Sequence, residues 1–115
     1  MLLIKDNIEV QRFELLEEKF SILISGIKAW LTGSESQGES ARYFLYVKGE
    51  VTPISGAEIY QSFHLQVIVS DSNGSVVGTQ MSTYFKEDFF GLDVIDNIME
   101  LSSPDIQTIK IFPKK

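Results

Sequence analysis

The chain has 115 residues, 43% hydrophobic and 23% charged, with 16 acids against 10 bases and a formal net charge of −6. That length suits one domain able to bury a core without disulfides or a structural metal, and the apolar share excludes a disordered chain. The acidic excess disfavours nucleic acid and anionic membrane as partners, and the lack of cysteine excludes disulfides, cysteine nucleophiles and thiolate metal sites.

Met1-Leu2-Leu3-Ile4 is too short for the core of a secretion signal, and Lys5-Asp6 interrupts it. No apolar run reaches the roughly 18 residues needed to span a bilayer. A cytoplasmic protein is therefore expected, on the premise that Met1 is the natural start. Next, Phe13, Leu16, Phe20, Leu23, Ile27 and Trp30 recur at the alternating spacings of a helical seam. Ile22, Ile24 and Ile27 are β-branched and Ser25-Gly26 interrupts the segment, which favours a strand over residues 20–31. Residues before Phe20 then form a short helix or an extra strand. Residues 32–41, small, polar and acidic, read as a flexible loop.

From residue 43 the pattern is β. Tyr43, Leu45, Val47 and Val51 share one face, and Phe44, Tyr46, Lys48, Glu50 and Thr52 the other, up to Pro53. Aromatics on both faces suggest a central strand, or one whose outer face meets a partner. Residues 62–71 alternate cleanly, with Phe63, Leu65, Val67 and Val69 on one side and His64, Gln66, Ile68 and Ser70 on the other. Asn73-Gly74 predicts a type I′ hairpin turn, and residues 75–85 return as its second strand. Residues 92–101 fit a strand with Leu92, Val94 and Ile98 on one face, in competition with a helix. The turn 102–105 and a strand over 106–112, stopped by Pro113, complete the chain. Lys110, Lys114 and Lys115 read as a solvated tail. Six or seven strands on short turns predict a mainly β, antiparallel two-sheet sandwich in a single domain over residues 1–115, with a short N-terminal helix as an option.

Val47-Lys48-Gly49-Glu50-Val51 is similar to the V-x-G-E-V strand of small bacterial immunoglobulin-like domains of the FxLYD type. Val69-Ser70-Asp71-Ser72-Asn73-Gly74-Ser75-Val76-Val77 is similar to their V-x-D-x-x-G-x-V-V hairpin. The resemblance spans residues 43–113. It implies a non-catalytic accessory or interaction domain, and it brings no active site with it.

The candidate site residues agree with that class. His64 is the sole histidine, on the face opposite Phe63 and Leu65, and cannot build a triad or metal site alone. Asp71-Ser72-Asn73-Gly74-Ser75 begins like a calcium loop, but the twelfth position is Ser82 where a bidentate Glu is needed. Glu87, Asp88, Asp93, Asp96 and Glu100 read as a solvated acidic face. No phosphate loop or nucleophile elbow is present. Phe89 and Phe90, beside Glu87 and Asp88 and before Gly91, form the candidate partner-binding site: an aromatic anchor within a charged rim. The sequence therefore points to a protein-binding domain with no cofactor, no metal and no catalytic residue. Its expected partner is another protein or its own copy through an edge strand, a homodimer being one such arrangement. An acidic surface favours a basic partner. Alternatives are a small acidic binder of the immunity or antitoxin kind and a self-assembling structural subunit. A metal-dependent hydrolase using the acids of 87–100 ranks below both.

Overall fold

The computed structural model describes residues 2–34, 41–56 and 58–115. Among the described residues, eight strands and one helix follow in the order β1 (Leu2–Lys5), β2 (Val10–Arg12), α1 (Glu14–Lys19), β3 (Ile22–Gly33), β4 (Tyr43–Pro53), β5 (Phe63–Ser70), β6 (Val76–Tyr84), β7 (Asp93–Leu101) and β8 (Thr108–Lys114), with a 3-10 turn at Lys86–Asp88 between β6 and β7. One sheet has the order β1-β3-β4-β7 and the other β2-β8-β5-β6. All pairs are antiparallel except β2 with β8. The protein is a β-sandwich.

Period-two patterning builds the core. Phe63, Leu65, Val67 and Val69 of β5 are buried against Leu45, Val47 and Val51 of β4, Ile22, Ile24 and Leu31 of β3, and Ile109 and Ile111 of β8. β4 lies between β3 and β7, as its two-faced aromatics suggest. On its outer face Tyr46 stacks on Trp30 of β3, with ring centroids 5.1 Å apart.

The segment over 13–30 follows the strand reading: β3 runs from Ile22, the residues before Phe20 include the short helix α1, and the helical seam does not exist. Other expectations are corrected. Phe20 enters the core while Leu23 points outward at 45% exposure. Gly26, at φ +62°, sits where the β3–β4 register shifts between Ser25 and Lys28, a bulge that the sequence presents as a break. Thr32 and Gly33 belong to β3, and of the loop expected over 32–41, residues 35–40 lie outside the described residues. Among the described residues the strand count is eight because β1, exposed throughout, and β2, only three residues long, are too short to show alternation.

The β5–β6 turn is not type I′. Only Gly74 of Ser72-Asn73-Gly74 has positive φ (80°). The Gly74 N–H donates to the Asp71 carbonyl (3.0 Å) and the Asp71 N–H to the Ser75 carbonyl (2.9 Å). That is a three-residue loop with a glycine bulge, braced by the Asp71 carboxylate, which accepts from the Asn73 and Ser75 N–H groups.

β7 has the opposite parity to that expected. Ile95, Asn97 and Leu101 face inward, while Val94 and Ile98 stay 56% and 50% exposed. Ser82 of β6 donates to the buried Asn97 side chain. Lys110 and Lys114 are strand residues of β8, not a tail. Pro113 lies inside β8, paired with Leu65; β2 pairs β8 only at Ile109–Ile111, so the missing N–H interrupts no ladder on that side.

Candidate functional site

The two ends of the sandwich differ. β2, β4, β6 and β8 finish, and β3, β5 and β7 begin, at the same end: Ile22 pairs with Pro53, Val51 with Asp93, Phe63 with Tyr84 and His64 with Lys114. This end therefore collects α1, the β4–β5 connection over 54–62, the β6–β7 connection over 85–92, and Lys114 and Lys115. Its interior is closed by Phe20, Ile59, Phe63, Tyr84 and Phe89. Phe63 lies between Phe20 and Tyr84, with ring centroids 6.0 and 5.1 Å away.

The Phe89-Phe90 pair is divided. Phe89 is 2% exposed and belongs to the core, whereas Phe90 is 84% exposed. Adjacent residues in extended backbone point opposite ways, and Phe89 is extended at φ −99°, ψ 115°. A contact role is therefore left to Phe90, with Glu87 and Asp88 exposed in the 3-10 turn beside it. The turn is held in place by the Lys86 N–H on Ser62 Oγ (2.8 Å) and the Asp88 N–H on the Phe85 carbonyl (3.0 Å). Behind it the Tyr84 hydroxyl donates to the Val94 carbonyl at 2.7 Å, tying the two stems of the connection together. Burial, and then the nearby Asp93, push the Tyr84 phenol from 10.0 up to about 12.

Phe90 has company. Ile54 (54%), Tyr60 (70%), Phe85 (54%) and Leu92 (51%) are exposed on the two connections of the same end. Sequence reasoning passed over Ile54 and Tyr60; for Ile54 the available signal was a large apolar residue set alone among Pro53, Ser55 and Gly56. Exposed apolar side chains gathered on loops are the ordinary mark of a contact surface.

The same end holds two further features. Glu17 of α1 is 2% exposed; Arg12 of β2 donates to its carboxylate through Nη2 (2.7 Å) and Nε (3.1 Å), and the Ile24 N–H adds a third bond at 3.0 Å. The hydrogen bond to Glu17 raises the Arg12 pKa further. This triple contact locks helix, β2 and β3 together. Next to it, a groove of about 550 Å³ has Leu16, Phe20 and Phe112 in its lining and Lys19, Lys114 and Lys115 around it. Phe13 braces Phe112 edge-to-face at 5.6 Å.

The other sequence candidates stay separate. His64 Nδ1 lies 2.9 Å from Thr83 Oγ1 of the neighbouring strand. Asp96 pairs with Lys48, and Glu100 with Arg42 at 2.9 Å. The Arg42 hydrogen bond holds the Glu100 carboxyl below its usual range. Among the described residues, no three of His, Asp or Glu come together as a metal site, and no helix is long and apolar enough to cross a membrane.

No family model matches the chain, and no curated protein matches it. Among solved structures it is similar to a Bacteroides fragilis protein provisionally named a beta-galactosidase, at 11% identity and TM-score 0.48 over 74% of this chain. The chain spans 15% of that protein's length. A likeness at that level carries no functional argument.

Proposed function

We propose that the protein is a non-catalytic interaction domain that binds a protein partner through the end carrying Phe90. The observation behind this is the exposure of Phe90 at 84%, two residues after the pinned turn that carries Glu87 and Asp88, with four more exposed apolar side chains on the connections of the same end. An anchor that projects from a rigid frame loses little entropy on docking.

Strand pairing supports an immunoglobulin-like kinship. The set β3-β4-β7 corresponds to the immunoglobulin strands A-B-E, and β8-β5-β6 to F-C-C′, in the order of the chain. The two FxLYD-like motifs fall on β4 and on the β5–β6 hairpin, the body of the sandwich. The binding end lies outside both motifs, which suits a shared frame carrying a site of its own.

The test is quantitative capture from lysate with three baits: wild type, Phe90→Ser and, as an exposed apolar control elsewhere, Val77→Ser. A specific protein held by wild type and Val77→Ser, and depleted about tenfold by Phe90→Ser, is expected. Equal retention by Phe90→Ser would overturn the assignment.

A further inference from the structure

Resting on that reading, we infer that the partner of this end is a second copy of the chain, docked end to end about a two-fold axis. Both halves of a complementary contact are present on one molecule. One half is Phe90 with Glu87 and Asp88. The other is the groove with Leu16, Phe20 and Phe112 in its lining and Lys19, Lys114 and Lys115 around it. No acid lines that groove, and among the described residues its three lysines enter none of the ion pairs, which are Arg12–Glu17, Arg42–Glu100 and Lys48–Asp96. Such a patch on a chain of net charge −6 calls for an acidic, aromatic-bearing segment, and Glu87-Asp88 followed by the exposed Phe90 is one, with Lys86 preceding it.

Placement makes the contact reciprocal. Groove and turn sit at the same end, since His64, the register partner of Lys114, is next in chain to Phe63, the partner of Tyr84. They lie on opposite flanks, the groove beside β8 and α1, the turn between β6 and β7. Turning one copy over onto the other therefore brings each turn to the other's groove, the self-complementarity that a two-fold interface requires. In each half of the pair Lys19, Lys114 and Lys115 then face Glu87 and Asp88, with Lys86 beside the two acids. A cross-section of about 26 × 20 Å gives about 500 Å² a side and about 1,000 Å² for the pair. That is the size of a weak, exchanging dimer.

Charge exchange tests it. One variant is Glu87→Lys/Asp88→Lys; the other is Lys19→Glu/Lys114→Glu/Lys115→Glu. All five side chains are exposed, and circular dichroism checks folding. In sedimentation from about 5 to 500 µM at low salt, wild type should dimerise, each variant alone should weaken by about tenfold or more, and an equimolar mixture should recover the dimer, because every turn then meets a groove of opposite sign. A wild type monomeric throughout, variants that dimerise as wild type does, or a mixture that stays monomeric would overturn the self-pairing. The binding role of Phe90 is judged separately by the lysate capture: a different protein lost with Phe90→Ser, beside a monomeric wild type, keeps that role and rejects the second copy.

Discussion

Phe89 and Phe90 are chemically identical neighbours with opposite consequences. Phe89 fills the closed end of the core, so Phe89→Ala should cost about 3–5 kcal/mol in urea unfolding. Phe90→Ala should fall within about 0.5 kcal/mol of wild type, since its ring meets solvent. Glu17 offers a second contrast. Arg12→Ala leaves a carboxylate at 2% exposure with only the Ile24 N–H, and should cost about 2–3 kcal/mol, less than a fully buried pair because the Arg12 side chain is itself 30% exposed. Arg12→Met/Glu17→Leu should cost less than Arg12→Ala, because no orphaned charge remains. Tyr84 makes stability fall at high pH. Its pKa is near 12 folded against 10.0 unperturbed, so the folded state holds the proton longer than the unfolded state does. The stability linked to that proton is whole below pH 10 and drains as pH rises to 12. Denaturation midpoints across that range should fall for wild type and flatten for Tyr84→Phe.

Among the elements, β5 and β6 were the most legible in sequence, because strict alternation in β5 and a Gly-bearing turn after it specify a hairpin. β7 was legible as a strand but not in its parity. Val94 and Ile98 are apolar yet point outward, while Asn97 points inward because Ser82 of β6 supplies a partner there. No pattern along β7 can report a bond offered by β6. The two strands approach closely: a Cβ on Gly78 would stand 2.4 Å from Met99 Sδ and 2.9 Å from Leu101 Cδ2. Gly78→Val should therefore lower stability by about 1–3 kcal/mol, seen as a lower urea midpoint with an unchanged slope. Before Phe20 the sequence offered a short helix or one extra strand, not both, because β1 and β2 are too short to alternate, and the Arg12–Glu17 pair joins two elements whose packing only the tertiary fold decides.

At the scale of the whole molecule, a mainly β sandwich followed from strand count and turn chemistry, whereas the binding end did not. It is assembled from α1, two connections and the end of β8, which the chain separates by up to a hundred residues and the sheets bring together. The turn with Phe90 was visible as an aromatic pair beside acids; the groove was hidden because Lys114 and Lys115 read as a tail and Lys19 lies far from them in the chain. The central claim is that this end is where the protein meets its partner. The most direct measurement places a photo-crosslinking phenylalanine analogue at Phe90, at Tyr60 or at Val77 and irradiates each in lysate. Adducts with one and the same protein, a second copy of the chain included, from Phe90 and Tyr60 and none from Val77 are predicted. Adducts from Val77 alone, or equal labelling from all three, would contradict it.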